Sequence, residues 1–340
     1  MIHISEIIAA GITKAGAQKN INEDSFQCMR KIFPDTLDRS EVQIGKALDH
    51  WQIYSVTDGM GGSGVGDIAG RLVQELLINH ISNLNTQNPQ NFDFAKFSDQ
   101  YLKAVNAHLK ERLARYKDKR VGCSLAFVLV NGSKAYTFSI GTNRIYFIRN
   151  NHIYRMTKDH RRKGSKEPAL YLGNFSDSSY LTPQNLNQVK LQEGDKILLV
   201  SDGFYQNYND QEILEKVQQS DTFIRSMLFY EKQLEEKNIV DDHTILALQI
   251  EKVEELSAPA INFSVINRQT INTNNKNMWD SQSETFDSIG ADEYVGDYIE
   301  AEKRPAKFLQ GLKLFGTSYG IGLLLGLLLL LLFKIFIIGF

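Results

Sequence analysis

Cysteine is scarce. Only Cys28 and Cys123 occur in 340 residues, both in apolar surroundings and without metal-ligand spacing. That excludes a disulfide-stapled scaffold and a thiolate zinc site, and it predicts two reduced, buried thiols in a cytosolic compartment. Charge of one sign is lacking as well: 38 Lys and Arg stand against 40 Asp and Glu, a net charge of −2. No global field steers the chain to nucleic acid, so any phosphate chemistry has to come from a local site. Paired-histidine spacing is absent, which removes the other common soft-metal signature. Residues 1–16 have no basic start, and Glu6 interrupts their apolar run, so no secretory signal is expected there.

The chain does have acidic residues placed at the ends of strand-like runs. Residues 51–57 read as a strand that stops on Asp58, followed by five glycines between Gly59 and Gly66. Glycine at that density marks backbone that bends sharply or approaches something closely. The same device recurs where a buried-type strand over 196–200 ends in Ser201-Asp202-Gly203. Glu23-Asp24 opens an early apolar stretch, and Asp241-Asp242-His243-Thr244 leads into a strand over 245–250. Four carboxylate positions without soft ligands suit a hard ion such as Mg²⁺ or Mn²⁺. If the fold gathers them, a bridging carboxylate holds two ions and a water between them becomes a nucleophile.

Between these points the periodicity alternates. Two early strands flank a turn over 13–20, and residues 30–50 read as an excursion, mostly loop with a poorly defined hairpin. Val65, Ile68, Ala69, Leu72, Val73, Leu76, Leu77 and Ile81 recur at helical steps, with His80 on the edge of the stripe as a structural residue. A second helix is predicted over 94–116. Four short strands over 122–156 then follow one another through hairpin-like turns as one antiparallel meander. Residues 158–187 are polar and irregular, with Arg161, Arg162, Lys163 and Lys166 near the start. A solvated loop accounts for them, and a substrate-facing flap is the sharper alternative. Helices are expected over 210–219 and 221–237.

From about residue 257 the pattern fades into asparagines and a late acidic stretch, as in a disordered tether. Residues 315–333 then run 19 positions without a charge, dominated by leucine. That length spans a bilayer core as a helix. Lys303, Arg304, Lys307 and Lys313 precede the run, so the large N-terminal part is expected in the cytoplasm. The expected division is 1–252 for a folded domain, 253–313 for a tether with a basic juxtamembrane end, and 314–340 for a single-pass membrane anchor.

In order, Lys19-x-x-Asn22-Glu23-Asp24, Asp58-Gly59-Met60-Gly61-Gly62, Gly122-Cys123-Ser124, Gly141-Thr142-Asn143-Arg144, Ser201-Asp202-Gly203 and Asp241-Asp242-His243-Thr244 resemble the successive motifs of the type 2C, or PPM, metal-dependent protein phosphatases in their bacterial form. The resemblance covers about residues 1–252. It implies an α+β fold, a four-layer α-β-β-α sandwich of two antiparallel sheets flanked by helices, here joined to one C-terminal transmembrane helix.

It further implies two Mn²⁺ or Mg²⁺ ions, with Asp58 bridging, the Gly59 carbonyl as a ligand, Asp202 and Asp241 on one ion, Glu23 supporting the other through water, and Asp24 nearby. Lys19 takes the place of the family's phosphate-binding arginine, keeping the charge but losing the planar fork. Thr142 replaces an aspartate that holds a third metal in bacterial members and cannot supply a carboxylate. Met60 stands where some members have a histidine proton donor, and Asp159-His160 is expected to be structural.

The function this implies is a membrane-tethered phosphatase of phosphoserine and phosphothreonine proteins, opposing a Ser/Thr kinase. The alternative is a pseudophosphatase that binds phosphoproteins without turnover. No nucleic-acid partner is expected.

Overall fold

The computed structural model describes residues 3–255, except 36–40, 50, 63, 83, 85–91, 117–119, 162–163, 165–167, 174–182 and 184, together with 299–300. Its first half runs β1 (His3–Lys14), β2 (Asp24–Cys28), β3 (Lys31–Phe33), β4 (Glu41–Asp49), β5 (Trp51–Met60), α1 (Val65–Ser82) and α2 (Phe94–Arg112). A 3₁₀ turn (Ala114–Tyr116) precedes β6 (Gly122–Asn131), β7 (Lys134–Ile140), β8 (Arg144–Arg149), β9 (His152–Arg155), β10 (Asn187–Lys190) and β11 (Lys196–Val200). Then come α3 (Asp202–Tyr205), α4 (Asp210–Gln218), α5 (Phe223–Glu236), β12 (His243–Glu255) and a two-residue β13 (Ile299–Glu300).

The strands form two antiparallel sheets. One is ordered β13-β4-β1-β12-β11-β8-β9 and the other β10-β7-β6-β5-β2-β3. Three apolar clusters separate four layers. Ile7, Phe26, Tyr54, Val128, Phe147, Leu199 and Leu246 fill the space between the sheets. Val73, Leu77, Phe94, Tyr101 and Val105 bury α1 and α2 on the six-stranded sheet, against Phe127 and Phe138. Ile213, Val217, Met227 and Tyr230 bury α4 and α5 on the other, against Leu198 and Val200. Each sheet thus carries apolar side chains on both faces, which is why its strands show long buried runs rather than strict alternation.

Helix starts follow local chemistry. Asp93 caps α2 by accepting from the Lys96 amide at 3.1 Å, and Asn209 with Glu212 forms a reciprocal capping box on α4. Thr222 caps α5. The His80 ring packs tilted against Phe97, with centroids 4.8 Å apart, in the structural role expected of it. Cys28 and Cys123 are free and buried.

Two expectations are corrected. Residues 30–50 are not mainly loop, because β4 is a nine-residue strand paired along β1 from Ser5↔Asp49 to Thr13↔Glu41. Its Val42 and Ile44 share one face and pack on the α4–α5 side, a pattern too short to outweigh the surrounding charges in sequence. The four-strand meander is also split, since β6 and β7 lie in one sheet and β8 and β9 in the other.

The chain crosses between sheets at Gly141-Thr142-Asn143, where Gly141 has φ +96° and an added Cβ would lie 2.3 Å from Ser124 Oγ. A turn of that composition serves a hairpin and a crossover equally well. Among the described residues, no helix is long and apolar enough to cross a membrane. The expected span over 314–340 lies outside the described residues, as does nearly all of the expected tether.

Candidate metal and phosphate site

Both sheets end their acidic strands on the same side. Asp24 opens β2 and is in register with Asp58 on β5, within the six-stranded sheet. Asp202 follows β11, and Asp241 and Asp242 precede β12, its neighbour in the seven-stranded sheet. The sandwich therefore brings together four positions spread over more than two hundred residues of sequence.

The electrostatics are those of crowded carboxylates. Burial first, then the charges of Asp202, Asp24 and Asp241, hold the Asp58 carboxyl well above the usual carboxylate range, and it donates a hydrogen bond to Asp202. Asp24 is pushed up in the same way by burial and by Asp242, although the hydroxyls of Ser201 and Thr244 donate to it. Asp202 is raised by burial and by Asp241, against the lowering pull of Arg161. Acids so placed keep a proton or demand a cation.

Asp24 Oδ2 is buried without a hydrogen-bond partner. An orphaned carboxylate oxygen beside the crowded acids Asp58 and Asp202 fits a hard divalent ion, and the all-oxygen donor set agrees. Among the described residues, however, no three such side chains stand in a ready metal-holding geometry. Two side-chain cations occupy the outer acids instead.

Lys19 is the first of these. Its Nζ contacts Asp241 and lies 3.1 Å from Asp242 Oδ2. Burial lowers its pKa, but the hydrogen bond to Asp241 and the charges of both aspartates more than reverse this. Arg161 is the second, 2.8 Å from Asp202 Oδ2 and 2.9 Å from the Tyr205 hydroxyl. Sequence reasoning favoured a solvated role for this basic run, and nothing in its spacing pointed across 41 residues to Asp202.

The remaining expected residues fall into place around the cluster. Asp242 is buried and accepts from the amides of Gly16 at 2.9 Å and Glu23 at 3.0 Å, so it ties the β1–β2 turn to β12. Asp241 is exposed and, among the described backbone amides, accepts only from that of the adjacent Asp242 at 3.0 Å, a local bond that ties it to no other loop. Glu23 Oε1 accepts from the amides of Gly64 and Gly66, both at 3.1 Å, and so anchors the entry to α1.

Gly59 has a packing role beside any ligand role: a Cβ there would lie 2.4 Å from the Gly66 carbonyl carbon and 2.7 Å from Glu23 O. Thr142 is buried, its hydroxyl 3.1 Å from Ser124 Oγ, with no carboxylate at that turn. Asn143, unnoticed in sequence as a support, donates to Val56 O and Ser124 O beneath the site. Asp159 pairs with Arg144, and the Gly141 amide donates to His160 Nδ1 at 3.0 Å, so the Asp159-His160 pair is structural.

The architecture is that of the type 2C phosphatase fold. It is shared with PppA, a regulatory component of the type VI secretion system of Pseudomonas aeruginosa, at a TM-score of 0.55 and 18% identity over 73% of this chain and 99% of that one. It is shared equally with the catalytic domain of the phosphatase PstP in complex with two manganese ions, at 0.55 and 20% identity over 73% and 100%. The S. agalactiae serine/threonine phosphatase gives 0.56 and 16% over 72% and 100%.

Residues 22–169 match the family model described as Protein phosphatase 2C. In sequence, the Ser/Thr phosphatase PstP of Mycobacterium tuberculosis is 25% identical over 190 residues, 49% of this chain and 34% of that protein. The chain thus spans about a third of the length of this curated relative. By sequence and by fold, the described domain is similar to metal-dependent Ser/Thr protein phosphatases.

Proposed function

We propose that this chain is a metal-dependent protein serine/threonine phosphatase, hydrolysing phosphoserine and phosphothreonine in proteins. The observation that carries this reading is the convergence of Asp24, Asp58 and Asp202, raised by burial and by one another, at one end of a type 2C sandwich. Two Mn²⁺ or Mg²⁺ ions would supply a deprotonated water as nucleophile. Asp58, Asp202, Asp241 and the Gly59 carbonyl would hold them, with Glu23 and Asp24 supporting. Lys19 contributes positive charge where the substrate phosphate arrives, and Glu23 and Asp242 keep the loops that carry these groups in place.

The test uses the full-length chain in detergent and follows Mn²⁺-dependent phosphate release from a phosphothreonine peptide. Asp58→Asn and Asp202→Asn should each lower turnover by about a hundredfold or more, the scale of removing a preorganised charge-stabilising group. Wild-type release no greater than in these variants ends the enzyme reading.

A second reading has its own support. Lys19 and Arg161 already neutralise Asp241, Asp242 and Asp202, as expected of a pseudophosphatase that binds phosphoproteins without metal. Retention of the whole acidic set favours the enzyme, because a binder has no use for it. The uncharged run over 315–333, behind Lys303, Arg304, Lys307 and Lys313, supports a single-pass anchor in the lipid bilayer. The catalytic domain then faces the cytoplasm, where a Ser/Thr kinase is its natural counterpart.

A further inference from the structure

Arg161 is delivered to the acids by a segment that is itself fastened to the site. The His160 amide donates to Gly141 O at 2.9 Å, and the Ala169 amide donates to His160 O. Arg161 also bridges to Pro168. These ties fix His160, Arg161, Pro168 and Ala169 beside the turn where the chain changes sheets. Two arginines then meet at Tyr205. Arg144 stacks on its ring at 3.6 Å and is neutralised by a two-pronged pair with Asp159, at 2.9 and 2.8 Å. Asp159 is therefore largely committed, and Arg161 Nε reaches it only at 3.8 Å. The close carboxylate for Arg161 is Asp202, at 2.8 Å with both side chains largely buried.

Asp202 is also the acid that meets Asp58 in the cluster. One carboxylate thus serves two claims, a guanidinium from the 158–173 segment and a cation among the acids. A second positive charge near a divalent ion repels it, and a low-dielectric setting strengthens the repulsion.

We propose that Arg161 is a built-in competitor for the metal at Asp202, so that metal uptake and the Arg161–Asp202 pair weaken each other. The proposal rests on the acids being a metal site, as above. Coupling of this kind is reciprocal: the factor by which Arg161 lowers metal affinity is the factor by which metal loosens Arg161. Metal uptake therefore loosens Arg161 and, with it, the ties at His160 and Ala169.

The decisive measurement titrates Mn²⁺ alone into the chelator-stripped full-length chain and counts free Mn²⁺ by electron paramagnetic resonance. Arg161→Gln should bind Mn²⁺ about tenfold more tightly than wild type, within the usual range of coupling between sites. Arg161→Lys keeps the charge and should stay within about twofold of wild type. Equal or weaker binding by Arg161→Gln overturns the proposal, as does binding by neither chain.

Hydrogen exchange provides a readout that needs no variant. Mn²⁺ should speed exchange at the His160 and Ala169 amides of the wild-type chain while slowing it in the core strands, and uniform slowing overturns the proposal. No phosphate ester enters these experiments. A chain that shows the coupling but no phosphopeptide turnover keeps the proposal and loses the enzyme reading; turnover without the coupling does the reverse.

Discussion

Asp58 is held above the ordinary carboxylate range by burial and by Asp202, Asp24 and Asp241, and this has a thermodynamic sign. A raised acid binds its proton more tightly when folded, so its favourable contribution is complete below the ordinary value of 3.8 and is lost as pH rises through the raised one. Without metal, the chain should therefore lose stability as pH rises above the ordinary carboxylate range and through the raised value of Asp58. Asp58→Asn removes the ionisation and should melt about 2–4 °C higher than wild type in chelator at neutral pH. The gap should widen with rising pH, and calorimetry across that range checks it. In the proposed reading saturating Mn²⁺ should reverse the order, because the variant would lack one carboxylate ligand.

Elements are fastened to one another by a few buried polar groups, and two of them mark where sequence patterns run out. Asn143 holds Val56 O and Ser124 O at the crossing from β7 to β8. Asn143→Ala leaves both carbonyls short of a donor and should cost about 1–3 kcal/mol by urea unfolding. Arg149 on β8 pairs with Asp195 at 2.7 and 2.6 Å, and Asp195 Oδ2 accepts from the Gln192 amide, so the turn before β11 is tied to β8. Arg149→Met strands a buried carboxylate and should cost about 3–5 kcal/mol, with Arg149→Met/Asp195→Leu recovering much of the loss. The crossing itself was not legible, because Gly-Thr-Asn makes a hairpin as readily as a change of sheet. The helices were legible, because Val65 to Ile81 and Phe94 to Leu109 keep their apolar spacing and the Asp93 cap of α2 is local.

Across the whole molecule, the proposed function depends on keeping an acidic cluster at one end of a sandwich and on holding that sandwich at a membrane. The full-length chain should pellet with membranes and resist carbonate extraction, and a chain ending before residue 303 should not, as fractionation and immunoblotting would show. Clusters of like charge destabilise the compact state, and burial of apolar residues on both faces of both sheets offsets that cost.

By itself the sequence picked out the residues that the proposed chemistry would use. Asp24, Asp58, Asp202 and Asp241 stand beside strands and glycines in an order that local chemistry and motif resemblance both pick out, and a strand end is a local property. Tertiary structure decided what meets what. Register set Asp24 opposite Asp58, and the facing sheets brought Asp202 to Asp58. It also gave Asp242 its backbone ties and Glu23 the task of anchoring α1. Arg161 reached Asp202 across 41 residues of chain through a stitched segment with no periodic signature. Contacts of that range depend on how layers pack, and no spacing rule within a single element encodes them.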